Sequence, residues 1–210
     1  NFAPLTNATG YTVFILGSAS AANQTFLGGT NISSNLHGLF AESSGTNDFR
    51  FVHRMPWGNA GGDNLTTTGG NFTFGQMNLV SLWRSAANQA IYLQGVNAAS
   101  MVPASAVYDQ NQNLALGRLG INLSQRYVNG DIGQVIVFSS ALPDVERILV
   151  ENYLSAKYNI AITANDVYDG DANDANHNFD LDMAGIGRFG GNNHTQAHSV
   201  GMIVANRTFL

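Results

Sequence analysis

Six of the fourteen acidic residues of this chain fall between Asn165 and Asp182. Asp169, Asp171, Asn173 and Asp174 alternate carboxylate and amide oxygens on a stretch that also holds Gly170, and Asp180 and Asp182 form a second group. A hard cation takes about six to eight oxygen ligands, so these residues are candidate calcium ligands. The EF-hand spacing and its closing bidentate Glu are missing, and a solvated acidic loop has the same composition. A second candidate is Trp57, in the Gly-rich loop Met55–Asp63 with His53 and Arg54 just before it. An aromatic face beside hydrogen-bonding groups is what a pyranose ring stacks on, although a Trp after Pro also serves as a plug under its own loop. His194 and His198, with His177 available, have zinc-pair spacing. That spacing converges only on a helix, and Gly190–Asn193 argues for loop or strand. Gly185-Ile-Gly187 lacks the third glycine of a nucleotide loop and reads as a tight turn.

Catalysis has little to work with. A retaining glycosidase needs two carboxylates about 5–5.5 Å apart across a cleft. The three glutamates are Glu42, beside an expected hairpin loop, and Glu146 and Glu151, both on an expected helix. No strand carries a close pair of acids, and no G-x-S-x-G elbow is present. The chain is expected not to be an enzyme.

Positioning falls to a chain of 210 residues, long enough for a two-layer core. Charged residues make up only 11% of it, about half the usual share, and Lys157 is the only lysine. With a net charge of −5 and arginines scattered along the sequence, no basic stripe is visible and nucleic acid is not an expected partner. No window approaches the roughly 18 apolar residues that span a bilayer. Cysteine is absent, which excludes disulfides and thiolate metal sites. Beginning at Asn1, the sequence reads as a mature or excised piece.

The strongest element signal runs from Tyr127 to Ile160. Val135–Phe138 is apolar on both faces, so the strand is expected inside a sheet rather than at its edge. Pro143, Asp144 and Glu146 then open a helix that runs to about Tyr158, with Asn159 as its stop. Earlier strands are expected at Tyr11–Leu16, at Leu36–Ala41 and Phe49–His53 with Glu42–Asp48 as their hairpin loop, at Gln76–Arg84 and Ala90–Gln94, and at Asn113–Arg118. Ser199–Ala205 reads as a further strand. Short strands with turn chemistry between them and almost no helix predict an antiparallel sandwich.

The pattern N-G-x-I-x-x-V-I-V-F-x-x-A-L-x-D-x-E-R leading into Y-L-x-x-K-Y-N-I resembles the C-terminal end of laminin-G-like, concanavalin A-like jelly-roll modules of bacterial surface proteins. Trp83, Tyr92 and Gly95 match the Trp strand and Tyr-x-x-G hairpin of that family's core. D-M-A-G-I-G-R resembles the A-G-I-G-R segment that often follows such modules. Together the resemblances span Tyr11 to Leu210. They imply an all-β, two-sheet antiparallel jelly roll over residues 1–160 with one C-terminal helix across its end. Residues 161–210 would form an acidic loop and extension, packed on the jelly roll or starting a second module. The family usually has one more strand before Tyr11, so the N-terminal edge is expected to be incomplete and open to strand addition from a neighbouring copy. Eight N-x-S/T sequons, beginning at Asn7, Asn23, Asn31, Asn64, Asn71, Asn122, Asn193 and Asn206, read in a bacterial chain as loop composition.

The leading functional expectation is a non-catalytic recognition or adhesion module of a secreted or cell-surface protein. It would bind a glycan or another surface ligand through rim loops, with calcium as a candidate cofactor. A structural subunit or spacer of an extracellular fibre is the alternative, and a glycoside hydrolase a remote one. The fold alone supports many partners.

Overall fold

The structure is a computed structural model. It describes residues 5, 8–29, 38–54, 63–104, 114–120 and 125–168, together with the backbone of 186–189 and 192–195. Strand β1, Tyr11–Gly17, is buried along its whole length. It lies between β10, Ile132–Phe138, and β6, Asn78–Arg84. The sheet continues through β7, Gln89–Leu93, to β8, Val96–Met101. A second five-stranded sheet has the order β5 (Asp63–Thr66), β4 (Asp48–Arg54), β3 (Gly38–Ser44), β2 (Thr25–Gly28) and β9 (Ala115–Leu116). Every neighbouring pair in both sheets is antiparallel. The architecture is an antiparallel two-sheet jelly-roll sandwich.

Alternation along the strands builds two separate apolar layers. Val13 and Ile15 of β1, Val80 and Leu82 of β6, and Phe49 and Phe51 of β4 meet between the sheets. Phe14 and Leu16, the residues in between, face the other way and join Leu79, Leu142, Leu154 and Ile162 under helix α1, Asp144–Tyr158. The helix starts after Pro143 (φ −57°), carries Asp144 and Glu146 in its first turn and Lys157 in its last, and ends on Asn159 in the left-handed region (φ 51°). Trp83 is half-buried and donates its Nε1–H to Leu142 O over 2.8 Å, fixing the approach to the helix.

This arrangement corrects the expectation for β10, which is an edge strand among the described residues, paired only with β1. Its two apolar faces have another cause. Ile132, Val135 and Val137 pack toward the other sheet, while Ile136 and Phe138 pack under the helix. The expected vacancy beside the first strand is also filled, because β1 is bonded on one flank to β10 and on the other to β6. Strand addition at that place therefore has no support.

Other boundaries shift as well. The hairpin between β3 and β4 closes through Gly45–Asn47, so Glu42 belongs to a strand and not to a loop. Strands β2, β5 and β8 had no expected counterpart. The expected Ser199–Ala205 strand and Trp57 lie outside the described residues. Past the helix, β11 (Ile186–Phe189) and β12 (Asn192–Thr195) form an antiparallel hairpin beside α1. Ile186 and Gly187 are thus in a strand, where a tight turn was expected, and the backbone at His194 is extended.

Candidate functional site

Four strands of the second sheet place one rung of polar residues on its outer face. Thr25 of β2 pairs with Glu42 of β3, Glu42 with Arg50 of β4, and Arg50 with Thr66 of β5. The Glu42 side chain is 0% exposed, yet it lies on the face away from the main core. Its burial is made tolerable by three donors. Thr25 Oγ1 donates to Oε2 over 3.1 Å, Arg126 Nη1 reaches the two carboxylate oxygens at 2.6 and 2.8 Å, and the Arg50 guanidinium is ion-paired to Oε1. A buried charge with fewer partners would be expelled or neutralised.

Both guanidinium groups are held firmly. Arg50 lies over the Phe40 ring at 5.5 Å from its centroid, and Phe40 is packed with Val52 and Leu119 on the same outer face. Arg126 adopts a left-handed backbone (φ 56°), and its carbonyl accepts the Thr25 N–H at 2.9 Å. Left-handed backbone in a non-glycine residue costs on the order of 1–3 kcal/mol and persists only where its surroundings enforce it. The two side chains retain 19% and 23% of their exposure, so solvent still reaches them. Arg54 extends the same face of β4, because Arg50, Val52 and Arg54 alternate with the inward Phe51 and His53. Burial lowers the Arg50 guanidinium to about 10, with repulsion from Arg126 and Arg54 as smaller causes, and burial also lowers Arg126. Two guanidinium groups on one carboxylate give this cluster a net positive charge among the described residues, on a chain of net charge −5.

Of the residues expected to bind sugar, Arg54 is on this face and His53 is not. His53 is buried between the sheets, stacked on Tyr11 with its Nδ1 2.7 Å from the Tyr11 hydroxyl. Adjacent residues of a strand point to opposite faces, so His53 and Arg54 cannot share a surface. Next to His53 the end of the core holds a buried ion pair, Arg84–Asp63 at 2.8 Å. Trp57 lies outside the described residues. So do the expected calcium ligands Asp169, Asp171, Asn173, Asp174, Asp180 and Asp182, and also His177 and His198.

Glu42 and Glu151 lie on opposite sides of the sandwich. Glu42 is on the outer face of the second sheet. Glu151 is buried on the opposite side of the sandwich, between α1 and the first sheet, where Ser81 donates to it over 2.7 Å and Arg147 Nη1 lies 2.8 and 2.7 Å from its oxygens. Arg147 in turn stacks 3.8 Å above the Tyr92 ring. A shallow groove of about 380 Å³ runs between Asn71, Thr73, Gln94 and Thr163, and its polar groups are neutral.

Sequence reasoning missed Glu42, Arg50 and Arg126 as a group. Arg50 and Arg54 were visible as two arginines on one face of an alternating strand. Arg126 is 84 residues from Glu42, and no local pattern announces the contact.

No protein-family model matches the chain. No curated protein matches it either. Solved structures do. The CBM40 of Ruminococcus gnavus IT-sialidase, bound to α2,3-sialyllactose, superposes with a TM-score of 0.53 at 16% identity over 66% of this chain and 80% of its own. A Bacteroides ovatus protein provisionally named for carbohydrate binding gives 0.53 at 16% identity over 66% of this chain, which spans 40% of that one. A botulinum neurotoxin type C chain, whose cell entry depends on two ganglioside molecules, gives 0.52 at 12% identity over 70% of this chain and 36% of its own. At these identities the likeness is one of fold. Among the described residues, no helix is long and apolar enough to cross a membrane.

Proposed function

We propose that this chain is a non-catalytic glycan-recognition module of a secreted or cell-surface bacterial protein, acting in adhesion to a glycan-bearing surface. The observation that carries the reading is the polar rung on the outer face of the second sheet, where Arg50 and Arg126 are fixed by a buried carboxylate and still reach solvent. Sugars are bound by polar groups set in advance on a rigid frame, because each hydroxyl desolvated on binding must find a partner. Arg50 has its place on a strand, and Arg126, in the segment before β10, is tied to the sheet through the Thr25 backbone and Glu42. The same fold carries sialyllactose in one solved neighbour, and another neighbour depends on gangliosides.

Trp57, three residues beyond Arg54 in sequence, is proposed as the stacking aromatic that completes the platform. Calcium at Asp169, Asp171, Asn173, Asp174, Asp180 and Asp182 is proposed as an assisting ion, supported by the alternation of carboxylate and amide oxygens in the sequence. Binding of the labelled chain to an array of neutral, carboxylated and sulfated glycans, with and without calcium, tests the reading. Retention of at least one glycan class at micromolar to low-millimolar affinity is expected. Retention of none would overturn it.

A further inference from the structure

We propose that Arg50 and Arg126 select glycans that carry a carboxylate on a sugar ring, with Glu42 as the built-in anchor that holds the two guanidinium groups in place. The inference rests on the glycan-recognition reading above and assigns it a ligand class.

The cluster holds more donors than its own acceptors can use. One carboxylate and the Asn23 amide oxygen, 3.4 Å from Arg126 Nη1, face two guanidinium groups with five N–H donors each. Glu42 is wholly buried beneath them and takes up one positive charge. Among the described residues the second charge has no counter-ion in the cluster. Arg50 Nε is also buried without a hydrogen-bond partner. That N–H lies below the surface and reports on the guanidinium without meeting a ligand itself. An incoming carboxylate supplies the missing negative charge and offers two acceptor oxygens in one plane to the parts of the two side chains that solvent reaches. A neutral hydroxyl supplies an acceptor but no charge.

The positions of the arginines are set before any ligand arrives. Phe40 lies under Arg50, the Thr25 backbone holds Arg126, and Glu42 spans the pair. Little side-chain freedom is then lost on binding. Thr66, on the same rung as Arg50, and the exposed Asn64 one rung away are placed for the hydroxyls of the same sugar. A structural ion pair alone would need only one arginine to balance Glu42.

The test uses two matched pairs of probes on the full chain: α2,3-sialyllactose against lactose, and digalacturonate against its methyl ester, with 3′-sulfated lactose as a further arm. Titration calorimetry is expected to show a preference of about tenfold or more for the acid in at least one pair, since charge-assisted bidentate hydrogen bonds are roughly twice as strong as neutral ones. Arg50→Lys, which keeps the charge and most of the stem but loses the planar fork, is expected to abolish that preference. Because a variant here can fail to fold, the Arg50 Nε–Hε signal of the unmodified protein is followed by NMR in the same titrations. It is expected to shift with the acid probe and not with its neutral partner. Equal affinity within both pairs, or an acid-bound complex in which that signal does not move, overturns the assignment. Binding of sulfated lactose as tight as the best carboxylated probe overturns selection for carboxylate in favour of anions generally. Neutral glycans retained on the array with no preference for acids would sink this inference alone, whereas an empty array removes the underlying reading as well.

Discussion

Glu42 and Arg50 are cross-strand partners on β3 and β4, and their ion pair lies on the outer face of a sheet whose inner face sends Leu39, Ala41, Phe49 and Phe51 into the main core. The pair makes a stability prediction. Glu42→Ala removes the carboxylate shared by Arg50 and Arg126, leaving two partly desolvated cations side by side. Breaking a buried pair from one side costs roughly 3–5 kcal/mol, and the solvent contact retained by the arginines puts this site near the lower end. Urea unfolding should show a loss of about 3 kcal/mol for Glu42→Ala. Glu42→Gln, which keeps shape and acceptor but not charge, should lose less. A neutral outcome for Glu42→Ala would show that the arginines do not need their anchor.

Asn152 makes a prediction about the chain beyond the helix. It is buried on α1, its Nδ2 donates to Ile148 O and to Asn165 O, and its Oδ1 accepts the N–H groups of Val167 and Tyr168 at 2.8 and 3.0 Å. One side chain thus ties the acidic segment's first residues to the jelly roll. Asn152→Ala should raise amide exchange at Val167 and Tyr168 by about tenfold or more while the exchange of β1 amides stays near the wild-type rate, as expected for local opening. Uniform acceleration across the sandwich would mean that the clamp is part of the global fold.

The elements legible in the sequence were those whose signals are local. α1 had Pro143, two acids and Asn159 within its own span, and β4 had a clean alternation of Phe49, Phe51 and His53. Glu42-Ser43-Ser44 read as loop because an acid followed by two serines is turn chemistry. In the fold the strand continues through them because Arg50 neutralises the acid from the next strand. β8, Val96–Met101, is made of small and polar residues with no apolar rhythm, so its pairing with β7 was not visible. β10 misled for the opposite reason: its apolar faces are covered by two different layers, and sequence alone cannot tell that from a place in mid-sheet. The candidate site was least legible of all, since its charge balance depends on the contact between Arg126 and Glu42.

The proposed calcium ligands lead to a thermal prediction. A cation bound only by the folded state stabilises it by about 2.7 kcal/mol at a hundredfold excess over Kd, which is about 5–10 °C for a domain of this size. Adding calcium after EDTA should raise the melting temperature by that amount, and Asp171→Ala should abolish the rise. An identical melt with EDTA and with calcium would return Asp169 to Asp182 to a solvated acidic loop.

The last prediction concerns pH and the ion pair under the helix. Burial pushes the Glu151 carboxyl above its ordinary value of 4.5, and Arg147 and Ser81 pull it back only in part. Below that ordinary value both the folded and the unfolded chain carry the proton, so burial of a charge costs nothing. As pH rises past it the unfolded chain releases its proton first, and this residue's contribution to stability falls until pH has passed the raised value. The stability of wild type relative to Glu151→Gln should therefore decline as pH climbs from about 4.5 through the window above it, and then level off. Urea midpoints of the two proteins across that range measure it; a difference that grows with pH in favour of wild type would mean that Arg147 outweighs burial. The same pair supplies an independent check on that balance. Arg147→Met alone leaves a buried carboxylate without its cation and should cost roughly 3–5 kcal/mol, while Arg147→Met combined with Glu151→Leu removes both charges and should cost clearly less. If the double variant were as unstable as the sum of the two single ones, the stacking of Arg147 on Tyr92 at 3.8 Å, and not its charge, would be what holds the helix to the sheet.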